Sequence, residues 1–110
     1  MIRHISVFTF SDTPKNGRTK AENIETVRAY LEGVPALYPP MKAQQIGVAI
    51  PGDPPELPPD ACPLFGDLVQ IADYETLDDA NGYPPSKAHM DLVALSDPML
   101  EKVTAIDFEF

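Results

Sequence analysis

The chain has 110 residues, with 8 Lys plus Arg against 17 Asp plus Glu and a formal charge of −9. That length suits one domain able to bury a core without disulfides or metals. The acidic balance and the lack of a basic cluster exclude nucleic acid as a partner and disfavour an anionic membrane surface.

The opening residues Met1 to Phe10 alternate on two faces. Ile2, His4, Ser6, Phe8 and Phe10 share one; Met1, Arg3, Ile5, Val7 and Thr9 share the other. β-branched and aromatic residues dominate, which predicts a strand covered on both faces. Residues 11–18 are polar, with Pro14 and Gly17, and read as a loop. Thr19-Lys-Ala-Glu22 fits a capping box, the hydroxyl and the carboxylate each satisfying an orphan amide. Ile24, Val27, Leu31 and Val34 then recur at three- and four-residue spacing, one helical stripe that Gly33 and Pro35 bring to an end. Glu25, Arg28 and Glu32 lie off it and form a solvated face.

Ala43 to Ile50 predicts a second strand, with Ile46, Val48 and Ile50 on one face. Six of the thirteen residues from Pro51 to Pro63 are proline. Such a stretch cannot donate ladder hydrogen bonds, so residues 51–63 read as a loop insertion and surface arm. The single Cys62 lies inside it and has no partner for an internal disulfide. Its neighbours Ala61 and Pro63 do nothing to stabilise a thiolate, so an inert thiol is expected.

Leu64 to Asp73 predicts a third strand, with Leu68 and Ala72 on one face and Phe65, Val69 and Ile71 on the other. Thr76 caps a short helix over 77–80 that Gly82 stops. Ser86 is a good N-cap for another, which carries His89, Leu92 and Val93 on one stripe. Asp97-Pro98 reads as a fresh cap with proline at the first helical position. Val103 to Phe110 predicts the last strand, with Ile106, Phe108 and Phe110 on one face.

Strand, helix, strand, strand, helices, strand is the ferredoxin-like βαββαβ order, an α+β fold in one domain over 1–110. Helices would cover one face of a four-stranded antiparallel sheet. The other face would stay open and apolar, and an exposed apolar patch of that size calls for a partner. The simplest is a second copy, giving a homodimer through the open sheet face. No run approaches the length of a membrane span, and the alternating start lacks the continuous apolar stretch of a secretion signal, so a cytoplasmic location is the expectation.

His4 and His89 are the only histidines, and imidazole is the side chain best suited to exchange a proton near neutral pH. His89 shares its stripe with Leu92 and Val93 and so points inward, as a general base in an apolar pocket would. The alternative is a core histidine bonded to Tyr83 or to a backbone carbonyl. Tyr83, fixed before Pro84 and Pro85, could donate to a developing oxyanion or serve as an aromatic lid on the helix. His4 is either a second pocket group or is satisfied by a cross-strand carboxylate such as Asp107. Asp67, Asp73 and Asp107 have no metal-binding loop around them, and two histidines give only two nitrogens, so no metal site is expected. No phosphate loop, nucleophile elbow or heme-attachment motif is present.

Met1-Ile-Arg-His-Ile with Phe8 and Phe10, the segment from Tyr83 to His89, and the closing Val103-Thr-Ala-Ile-Asp-Phe-Glu-Phe110 resemble the stress-responsive α/β-barrel (Dabb) family of the dimeric α+β barrel superfamily. The resemblance covers most of the chain outside the proline-rich insertion. It implies a homodimer whose sheets close into a shared barrel, with a cavity between sheet and helices in each subunit. It extends to a plant polyketide cyclase of the family that uses a strand-one His, a Tyr, and a His six residues after that Tyr; these match His4, Tyr83 and His89. The family's usual His-Pro-x-His segment is Ser86-Lys87-Ala88-His89 here, which keeps only the second His. The cyclase's first-helix tyrosine falls on Val27, and Tyr30 is almost a turn away. The implied function is a cofactor-independent acid/base enzyme acting on a small apolar substrate, by cyclisation or isomerisation. The alternative is a non-catalytic stress protein that binds a small apolar molecule.

Overall fold

The computed structural model describes residues 1–51, 56, 58, 60 and 66–110. The elements run β1 (Ile2–Phe10), α1 (Lys20–Glu32), α2 (Val34–Leu37), β2 (Met41–Val48), β3 (Leu68–Tyr74), α3 (Leu77–Gly82), α4 (Lys87–Ser96) and β4 (Leu100–Glu109). The strands form one four-stranded sheet in the order β2-β3-β1-β4, and all three pairings are antiparallel. This is the ferredoxin-like architecture.

Period-two alternation sorts the sheet. Ile2, Ser6, Phe8 and Phe10 of β1 and Leu68, Gln70, Ala72 and Tyr74 of β3 are buried beneath the helices. They pack with Val27 and Leu31 of α1, Val34 of α2 and Ala88 and Leu92 of α4. The opposite face carries Ile5 and Val7 of β1 and Val69 and Ile71 of β3, all half-buried. Ile5 pairs in register with Ile106, and Arg3 with Phe108. Ile106 and Phe108 keep 61% and 40% of their surface exposed. Arg3 makes a bidentate ion pair with Asp73 across the β1–β3 pair, at 2.7 and 2.9 Å, and its guanidinium lies over the Phe110 ring.

Helix starts follow the side-chain chemistry. Thr19 and Glu22 close the capping box in both directions, Thr76 accepts from Asp79 N, and Ser86 accepts from His89 N. Gly33 caps α1, but the chain makes one further turn with Pro35 near its start, so Val34 is buried from α2 and not from α1. Ile24 is only half-buried, while its neighbour Asn23 is fully buried. Asn23 exchanges amide hydrogen bonds with Asn16, at 2.8 and 3.3 Å, which ties the first loop to α1. Arg28 with Glu25 and Glu32 forms the expected exposed ion cluster.

The bounds of β2, β3 and β4 and the segment at Asp97-Pro98 differ from the sequence reading, and α3 runs through Gly82, the residue expected to stop it. β2 starts at Met41, buried against the core after Pro39-Pro40, and ends at Val48 opposite Leu68, where its partner strand begins. Ile50 therefore lies outside the sheet and is 94% exposed. β3 begins at Leu68 and runs on to Tyr74. Gly66, just before it, takes φ 104 in the left-handed region, and a side chain there would run into Val7. Asp97-Pro98 opens no helix. Asp97 ends α4, and the carbonyls of Pro98 and Met99 accept from Lys15 N and Ser11 N, holding the segment as a tight turn into β4. β4 accordingly starts at Leu100, three residues early. The proline-rich arm, with Cys62, and the proposed strand positions Leu64 and Phe65 fall largely or wholly outside the described residues.

Candidate active site

Between the helix-covered face of the sheet and α4 lies a cavity of about 390 Å³, within the roughly 300–1,000 Å³ typical of small-molecule sites. Its walls combine Phe8 of β1, Leu92 and Val93 of α4, and Leu100 and Val103 of β4 with a short set of polar groups: His4, Ser6, Gln70, Tyr83, His89 and Ser96. His4, Tyr83 and His89, which the sequence singles out from three separate segments, thus line one space. Asp97 and Glu101 also border it and are exposed, adding negative charge to an already acidic protein.

His89 is delivered by the cap of α4. Ser86 Oγ accepts from His89 N at 3.3 Å and itself donates to the carbonyl of Tyr83 at 2.6 Å. His89 Nδ1 lies 3.0 Å from the Pro84 carbonyl. A carbonyl oxygen can only accept, so Nδ1 carries the ring proton, and in the neutral ring Nε2 holds the lone pair. The backbone-carbonyl bond and the inward placement, alternatives on the sequence, therefore occur together. The Tyr83 ring stands edge-on to the imidazole, with centroids 4.9 Å apart.

Tyr83 is 4% exposed and belongs to a cluster with Tyr38 and Tyr74. Its hydroxyl is closed to water and has no hydrogen-bond partner among the described residues, as is also true of Tyr74. Burial pushes the Tyr83 phenol up to about 12, and the nearby Gln70 amide, which lacks hydrogen-bond geometry to it, offsets this only in part. Burial likewise raises Tyr74. Tyr83 therefore lines the cavity and holds an unspent O–H donor.

His4 is both a cavity group and a partner of Asp107. The antiparallel register sets the two residues opposite each other on β1 and β4, and His4 Nδ1 bonds the Asp107 carboxylate. Its Nε2 lies 2.6 Å from Ser6 Oγ. Gln70 donates to Gln44 Oε1 at 2.6 Å, and Gln44 donates to the Leu31 carbonyl at 2.7 Å, a chain of amides that links the cavity floor to the end of α1. Tyr30, set aside on the sequence, donates to the Ala88 carbonyl at 2.6 Å and pins α1 to the first turn of α4 beside His89.

Ser6 and Gln70 carry no motif. Ser6 was visible only as a face-mate of His4 two residues away, and Gln70 only as the polar member of the Leu68/Ala72 face. Among the described residues no group of three or more His, Cys, Asp or Glu could hold a metal ion, and no helix is long and apolar enough to cross a membrane.

The family model of the stress responsive A/B barrel domain matches residues 2–110. The chain belongs to this family. Among solved structures, a dimeric ferredoxin-like protein of unknown function from Thermobifida fusca is 27% identical, with 99% of this chain and 90% of that chain covered and a TM-score of 0.72. The Arabidopsis thaliana protein At3g17210 is 20% identical over 100% of this chain and 95% of its own, with a TM-score of 0.73. A hydroxynitrile lyase from Passiflora edulis is 15% identical over 97% and 90%, with a TM-score of 0.69. No curated protein matches the chain. As a stress responsive A/B barrel domain, the chain keeps its cavity on the helix side of the sheet and leaves the other face open.

Proposed function

We propose that this stress responsive A/B barrel domain is a cofactor-independent acid/base enzyme for a small, uncharged, apolar substrate. The observation that carries this is the tautomer of His89: its Nδ1–H is spent on the Pro84 carbonyl, which leaves Nε2 as the acceptor in a cavity with apolar walls. Nε2 takes a proton from a carbon acid, and oxygen-bearing charge develops on the enolate. Tyr83 holds the imidazole edge-on, and its O–H, which has no partner among the described residues, is the donor for the enolate oxygen. His4, anchored by Asp107, is the second proton-carrying group facing the same space. Proton removal of this kind serves an intramolecular cyclisation or an isomerisation equally well. The same fold accommodates a lyase in the Passiflora edulis protein.

The enzyme works as a homodimer through the open sheet face. The apolar stripe of Ile5, Val7, Val69, Ile71, Ile106 and Phe108 supports this, as does the dimeric Thermobifida fusca structure.

Acetophenone in D2O tests the acid/base reading. The protein should speed methyl-proton exchange, read by proton NMR, and His89→Gln should cut that acceleration by about a hundredfold. Exchange no faster than in buffer, or unchanged by His89→Gln, sinks the proposal. One observation favours the second reading, a binding protein for a small apolar molecule: the Tyr83 hydroxyl is closed to water. On that reading acetophenone binds without exchange, and His89→Gln alters affinity alone.

A further inference from the structure

Asp107, His4 and Ser6 form a continuous hydrogen-bonded chain whose hydroxyl end, Ser6, has no part in proton removal by His89. A carboxylate only accepts, so the bond between Asp107 and His4 fixes the imidazole proton on Nδ1. Nε2 must then accept, and the Ser6 hydroxyl donates to it at 2.6 Å. Donor direction and order are those of a carboxylate–imidazole–hydroxyl triad, which is recognised by geometry and roles and not by its place in the sequence. The strand pattern builds it: Ser6 and His4 share a face two residues apart on β1, and Asp107 stands opposite His4 on β4. Ser6 is 4% exposed overall, yet it lines the cavity, so its hydroxyl meets a ligand there and not bulk water.

We infer that Ser6 is a nucleophile and that the cavity carries a second activity, hydrolysis of uncharged carboxylic esters with a small apolar acyl group. Ser6 Oγ attacks the acyl carbon as its proton passes to His4 Nε2, and the carbonyl electron pair moves onto oxygen. Collapse of that oxyanion breaks the ester C–O bond, and the alcohol leaves with the proton from His4. Water then attacks the acyl-serine, gives a proton to His4, and releases the acid as His4 returns the proton to Ser6. Leu92, Val93 and Val103 suit an apolar acyl chain, while Asp97 and Glu101 repel an anionic one.

The activity uses the same cavity as the proton-transfer reading but a different base, so each can fail alone. The test treats the full chain with diisopropyl fluorophosphate, locates the adduct by peptide mass spectrometry, and measures 4-nitrophenyl butyrate hydrolysis in parallel. The expected result is one adduct, on Ser6, with hydrolysis lowered at least about a hundredfold by Ser6→Ala and by Asp107→Asn. Asp107 is half exposed, so its variant keeps the fold while losing the imidazole anchor. No adduct on Ser6, or hydrolysis by Ser6→Ala at the wild-type rate, overturns the inference. So does equal hydrolysis of 4-nitrophenyl butyrate by Asp107→Asn and wild type.

Discussion

Asn23 shows how much a single polar side chain can hold. It is fully buried in α1, and among the described residues its amide exchanges hydrogen bonds with Asn16 across the first loop. Asn23→Ala removes one partner and leaves the other short of a hydrogen bond, so it should cost about 1–3 kcal/mol, read by urea denaturation. The buried phenols behave differently. Burial raises both Tyr83, to about 12, and Tyr74, so the folded state holds their protons more tightly than the unfolded chain does. That stability is fully present below the ordinary phenol value of 10.0 and is lost as pH climbs through about 12. In an alkaline titration followed by phenolate absorbance, part of the tyrosine signal should therefore appear late and coincide with unfolding. At this scale the sequence was legible where chemistry is rare. Two histidines and a tyrosine before two prolines stand out, whereas Ser6, Gln70 and Asn23 are common residues whose meaning comes only from what folding sets beside them. Asp107 lay in between: the sequence offered it as one cross-strand partner for His4, and the register selects that pairing.

Elements were readable from their starts more than from their ends. A cap is a local hydrogen bond, so Thr19, Thr76 and Ser86 were all evident, and Thr19→Ala should destabilise the protein by about 1 kcal/mol in thermal or chemical unfolding. Strand ends depend on where the partner strand begins, which no local pattern records. Thus Ile50 has the apolar character of a strand residue but lies past the Val48–Leu68 pair with which the β2–β3 ladder ends. Asp97-Pro98 has a helix-cap signature, yet only one residue, Met99, separates Pro98 from β4, and its carbonyls are taken by the first loop. Gly66 is a backbone requirement of the same non-local kind. Its left-handed φ and the proximity of Val7 mean that Gly66→Ala should lower stability by more than the roughly 1 kcal/mol of a helix-interior change in the opposite sense, measured as a loss of midpoint in urea.

The whole molecule divides its two sheet faces between two tasks. One is sealed by helices and encloses the cavity; the other displays Ile106 and Phe108 beside a half-buried aliphatic stripe. If that face joins two copies, Phe108→Glu with Ile106→Glu should convert a species of twice the 12.0 kDa chain mass into a monomer by sedimentation velocity. The doubly substituted chain should remain folded, because both residues lie outside the core. Everything proposed for the cavity depends on where the ring protons of its histidines reside. Long-range 15N–1H correlation NMR above neutral pH reads this directly. Both His89 and His4 should show the Nδ1–H tautomer, with a lone pair on Nε2. An Nε2–H tautomer at His89 would contradict the account, because the cavity would then lack its base.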